Sequence, residues 1–366
     1  MQTRTNIVIS CVVGVAILSI IALRGGDRGT VPVIAAERIP ANEKQYTARL
    51  TGEFQRQFEA SKRSDPNSRG THAKYHGCVR AEFAVVENLA PELSVGIFQP
   101  GARYPAWVRF SNNPDPHAEV EPDIRSMEIK LLEVAGQKLL PPGFEDNDSH
   151  DLVLFSRPVF PFPDVETYTK RFEAFTSNET LQFYFNPFDS HIKLFLNSRK
   201  NKNFFQHTDL LHSSWFSSVP YRYGDQHAVK YSTRPCSRSL ANIRDEPGDE
   251  YLQDQLKRHL TSGSGCFEFL VQFQTDPEAM PIEDASVEWD KLFAPFEPIA
   301  LLIIAAQNFD SREQMKVCEN LSFNPWRALP EHRPLGGINR ARGEIFTELA
   351  KFKTRQRDAA ASELTM

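Results

Sequence analysis

Hydrophobic positions fall into three periods along the chain. Ile7 to Leu23 carries no charge at all, IVISCVVGVAILSIIAL, and as a helix it would be about 26 Å long, close to the thickness of a bilayer core. Residues 24–40, interrupted by Pro32 and Pro40, then read as a tether. Beyond it, Tyr46, Leu50, Phe54 and Phe58 recur every fourth residue, the stripe of an amphipathic helix, with Asn42 placed as N-cap and Gln45 as its return partner. Period two follows at Val79, Ala81, Phe83 and Val85, and again at Met127, Ile129 and Leu131. Further strands are predicted around Val108, from Asp151, around Tyr231, from Cys266 and from Pro298. Helical spacing returns at Val165, Tyr168, Phe172 and Phe175, around residues 250–260, and over 339–357. No fixed-period repeat or low-complexity block appears. Strands first and helices later predict an α+β chain, a large antiparallel β-barrel with helices packed outside. The expected division is an anchor and tether over 1–40, one domain over 41–358 and a tail over 359–366.

Charge and composition narrow the partners. Across 366 residues, 42 basic and 47 acidic groups leave a net −5, so no positive field draws in nucleic acid. The 27 phenylalanines supply flat apolar faces suited to a core or to a slot for a flat ligand. Arg4 before the apolar run and the small residues Val33 to Ala36 after it also fit a signal peptide. The long gap between Leu23 and that site favours an uncleaved anchor, with the body expected outside the cytoplasm. Arginines flank the span on both sides, so charge does not fix its orientation. Cys78, Cys236, Cys266 and Cys318 fit either two bridges or buried thiols. Their spacing does not resemble a zinc site.

The densest chemistry lies at Arg69-Gly70-Thr71-His72-Ala73-Lys74-Tyr75-His76-Gly77, directly before a strand. A neutral imidazole can both take and return a proton near pH 7, so a histidine here is suited to acid/base work. Taken alone, His72 also reads as a structural histidine, and His72 with His76 as a metal pair only if they shared a helix. Arg-x-x-His-Ala-Lys followed by Gly77, Val79, Ala81 and Phe83 resembles the start of the barrel in haem catalases. Arg109-Phe110-Ser111, Asp123-Ile124-Arg125, Asp151-Leu152-Val153 and Pro158-Val159-Phe160 follow in the same order. Phe323-Asn324-Pro325-Trp326 and the run from Glu331 to Arg342 resemble the compact branch that holds catalase-related peroxidases and allene oxide synthases.

The resemblance implies a barrel of catalase type binding haem b in a phenylalanine-lined pocket and acting on peroxide or on organic and lipid hydroperoxides. It assigns His72 as distal acid/base and Thr71 as its hydrogen-bonding neighbour, a residue that points towards organic hydroperoxides. Arg69 and Arg109 become propionate partners, a role suited to a forked cation; each would otherwise be an ordinary ion-pair residue. A homo-oligomer is the family-based expectation.

Two positions depart from that pattern. Where catalases carry a distal asparagine, this chain has Ser156, whose hydroxyl lies closer to the backbone. Four residues after Arg342, where the family has its axial tyrosinate, stands Phe346, and no tyrosine follows Tyr251. Phenylalanine cannot bind iron, so Arg342 has no phenolate at that position to neutralise. Glu344 and Glu348 face other sides of the helix. Three outcomes fit: haem held by its propionates with another group on iron, an apolar pocket without haem, or a different cofactor. The functional expectation is a haem-dependent peroxidase or hydroperoxide-processing enzyme, the alternative a catalase-like barrel that binds haem or lipid without turnover as a carrier or sensor.

Overall fold

Every segment of period two becomes a strand. The structure, a computed structural model, describes residues 33–64, 74–112, 123–141, 144, 148–200, 209–237 and 248–363. Among them β1 (Tyr75–Val85), β2 (Arg103–Ser111), β3 (Ser126–Leu132) and β4 (Ser149–Phe155) form an antiparallel run. Two short segments, β5 (Trp215–Phe216) and β6 (Tyr221–Tyr223), share one edge of β7 (His227–Pro235). β8 (Gly265–Phe273) and β9 (Glu297–Ile304) complete the set. β9 pairs with β1, and β5 pairs with both β4 and β7, so the sheet closes into a barrel. Closure removes free edges.

The inward positions are those that alternation marked. Val79, Phe83, Val108, Phe110, Ile129, Leu154, Phe267 and Phe269 are wholly or almost wholly buried in one core. Phe83, Phe98 and Phe269 pack ring on ring with centroids 5.1–6.2 Å apart. The lumen is therefore filled by side chains rather than left as a pore.

Helices cover the outside: α1 (Glu43–Ser64), α2 (Val165–Thr176), α3 (Thr180–Phe185), α4 (Ile192–Lys200), α5 (Tyr251–Ser262), α6 (Arg312–Asn320) and α7 (Gly337–Glu363). α1, α2, α5 and α7 match the expected helices; α3, α4 and α6 were too short to announce themselves. Asn42 does not cap α1 through its side chain, which instead donates to Glu166 of α2 (2.9 Å). At α2 the cap is Asp164, accepting from the Thr167 amide (2.7 Å). Cys236 and Cys266 form a disulfide beside the β7–β8 pair, while Cys78 and Cys318 are buried thiols. The two alternatives for the cysteines are thus each half realised. No helix among the described residues is long and apolar enough to cross a membrane, and the predicted span at residues 7–23 lies outside them.

On its outer face the β2–β4 sheet carries charge. Arg109 and Glu128 are cross-strand partners and bond at 2.7 Å; Lys130 and Asp151, also partners, bond at 2.8 Å. Residues 321–328 strap over them. Arg327 pairs with Asp151 (2.5 Å), the Asn324 amide donates to the same carboxylate (2.8 Å), and the Phe323 ring lies 4.4 Å from the Arg109 guanidinium. Trp326 then donates to the Asn339 carbonyl (2.7 Å), tying the strap to α7. Gly343 is required beneath that indole, because a Cβ there would sit 2.7 Å from its nitrogen.

Candidate functional site

α7 is placed by a charge cluster and oriented by an apolar stripe. Arg340 near its start binds Glu43 of α1 (2.6 Å), Glu283 (2.7 Å) and Glu37 (2.5 Å) at once. Ile338, Ala341, Ile345 and Leu349, at helical spacing, face the core. This phase leaves Arg342 and Phe346, four residues apart, on a common stripe directed at a cavity.

The cavity measures about 370 Å³, within the range of small-molecule sites. Its walls come from the end of β4 (Phe155), the following turn (Phe160, Phe162), α2 (Tyr168, Phe172, Phe175), α1 (Phe54) and α7 (Arg342, Ile345, Phe346). The aromatic side chains touch one another; Tyr168 stacks on Phe162 with centroids 5.0 Å apart, and Phe54 packs at a tilt on Phe172 at 4.9 Å. Against these faces stand the cations Arg157, Arg171 and Arg342, and among the described residues no carboxylate lines the space.

Arg342 is the decisive group. Its guanidinium carbon lies 4.8 Å from the Phe155 ring and 5.2 Å from the Phe160 ring. Its one hydrogen bond among the described residues is to Asn339 Oδ1, long at 3.4 Å. Burial lowers its pKa, and the Tyr221 and Tyr168 phenols only partly offset that. Cation–π contacts supply part of the missing compensation, but they carry no negative charge. A half-buried guanidinium facing a cavity with no acid among its described lining residues fits a ligand that brings one. Burial lowers Arg157 as well, and Arg171 donates to the hydroxyl of Tyr184 (3.1 Å), a residue outside the described lining.

The predicted site residues fare unequally. Arg69, Thr71 and His72 lie outside the described residues. Ser156 stands between two lining residues, yet its hydroxyl accepts from the Arg125 amide (3.1 Å) and it is not itself part of the lining. Arg109 is buried against Glu128 and Phe323 on the outer face of the sheet, not in the cavity lining. Phe346 and Arg342 do line the cavity together. His76 belongs to the strand β1 rather than to a helix and contacts Asn112 Oδ1 at 2.5 Å. Among the described residues no group of three or more metal-ligating side chains occurs.

Sequence reasoning missed Arg157, Arg171 and the phenol of Tyr168 as cavity groups. Tyr168 reads as one more apolar position on the α2 stripe, although Arg171 three residues on is a detectable neighbour. Its pKa is pushed up to about 12 by burial, with Arg342 pulling the other way. It is the one phenol among the described lining residues.

No protein-family model matches this sequence, and no curated protein matches it. Solved structures do match in fold. A fungal catalase aligns with TM-score 0.53 and 16% identity over 75% of this chain and 57% of its own. A bacterial catalase aligns at TM-score 0.56 and 16% identity over 87% and 62%. Catalase A of Saccharomyces cerevisiae aligns at 0.55 and 16% over 88% and 67%. The chain thus has a catalase-like fold and spans roughly three fifths to two thirds of the length of these catalases.

Proposed function

We propose that the chain is a membrane-anchored, haem-dependent protein of the compact catalase-related branch that processes organic hydroperoxides. The observation that carries the reading is the half-buried Arg342 guanidinium, without a carboxylate partner among the described residues, at the wall of an aromatic cavity. Flat faces and cations suit a macrocycle bearing acids, and the lining offers both to the plane and the propionates of haem b. Phe346 does not fit as an iron ligand; the phenol the described lining offers is that of Tyr168. The chemistry that haem b supplies when bound is O–O cleavage at iron.

The chain's own residues would divide the remaining work. Arg342 and Arg157 hold negative charge, the phenylalanines keep water out, and His72 takes a proton from one peroxide oxygen and returns it to the other. Thr71 would orient that imidazole. Ser156, already bonded to Arg125, offers weaker distal help than an amide. The Cys236–Cys266 disulfide supports a body outside the cytoplasm. Phe346 favours a second reading, in which the cavity holds haem or another apolar acid without turnover.

A comparison of His72→Ala with the parent tests this. Hemin-loaded parent protein should consume a fatty-acid hydroperoxide faster than hydrogen peroxide, and the variant should lose about a hundredfold or more in rate with its hemin stoichiometry intact. Hemin uptake with no turnover in either protein selects the second reading.

A further inference from the structure

α2 runs out at Thr176 into a helical hairpin, α3 and α4, whose outward side chains are the wrong kind for water. Phe188 is 96% exposed, Leu181 72% and Phe175 62%, and Phe185, Ile192 and Leu196 are exposed beside them in sequence. Large apolar residues gathered in this way mark an interaction surface, whereas scattered ones do not. Nor is the hairpin loosely attached. Phe183 stacks on His191 at 4.3 Å, Tyr184 packs on Phe195 at 5.3 Å and bonds Arg171 of α2, and Lys170 binds Asp189 at 3.0 Å. The inner side chains fix the hairpin to the body and hold the outer ones out.

We propose that this hairpin is a lipid-interface docking surface that seats the mouth of the cavity on a bilayer. Two features select lipid over a second copy of the chain. The sequence carries an uncharged, bilayer-length segment at Ile7–Leu23, joined to Val33 by residues 24–32, which can carry the chain at most about 36 Å from Leu23 to Val33. A body tethered so closely keeps its surface at the headgroups, where aromatic and aliphatic side chains on short amphipathic helices embed. Phe175, moreover, is both 62% exposed and a wall of the cavity, so the patch is continuous with the one large aromatic opening described. The surface does not depend on whether haem occupies that cavity.

The test uses the full chain carrying Phe188→Trp, a change at a fully outward ring, measured as the difference from the parent. It is mixed with phosphatidylcholine vesicles, plain or brominated near the headgroup end of the acyl chains. The added indole should shift to the blue and lose at least half its emission in brominated vesicles. Adding Leu181→Ser and Leu196→Ser should restore a water-like spectrum while the circular dichroism stays unchanged. An indole that remains water-like with vesicles overturns the proposal. A blue shift that follows protein concentration and ignores bromine overturns it in favour of self-association.

Discussion

Asp151→Ala should cost about 3–5 kcal/mol and lower the melting temperature by on the order of 10 °C. The carboxylate is buried and serves Lys130 at 2.8 Å, Arg327 at 2.5 Å and the Asn324 amide at 2.8 Å. Removing it strips two buried cations of a shared counter-ion and cuts the strap over β2–β4 that leads, through Trp326, to α7. Breaking one side of a buried pair is costlier than replacing the whole set with apolar residues, because the remaining charge stays desolvated. Denaturant unfolding of the two proteins checks this. A loss below about 1 kcal/mol would mean that the pair behaves as an exposed one.

Arg342→Leu should do the opposite to stability and still damage binding. The guanidinium is half-buried among rings with a single long hydrogen bond among the described residues, so folding gains little from its charge. Leucine is shorter but removes the cost of holding a charge among rings, so the melting temperature should stay unchanged or rise. A charge-assisted contact to a ligand acid contributes roughly 1.5–3 kcal/mol, so hemin affinity should fall on the order of 10- to 100-fold. Parallel thermal melts and hemin titrations separate the two effects. If both stability and affinity fall, Arg342 is a structural residue and the cavity's charge has another purpose.

The barrel was legible because alternation is a direct consequence of one buried face per strand. Val79, Phe83, Ile129 and Leu131 announce their strands in the sequence and lie in the core. β5 and β6 are too short to show any period, yet β5 closes the ring, so closure could not be read from pattern. Arg342 and Phe346 were visible as a pair because helical spacing puts residues four apart on one stripe. Arg109 shows the limit: its sequence neighbourhood fits a ligand-binding role, whereas its partner Glu128 is set by the register between β2 and β3. Tyr168 escaped for the related reason that an apolar stripe conceals the one member whose ring ends in a hydroxyl.

The account rests on the aromatic space between α2 and α7 accepting a flat acid. Hemin titrated into the full chain, followed by the growth of its absorption band and the quenching of tryptophan emission, measures that most directly. Saturation at one hemin per chain, displaced by no more than weak competition from simple aromatic acids, is the predicted result. Absorbance that climbs without saturation, with tryptophan emission untouched, would contradict it.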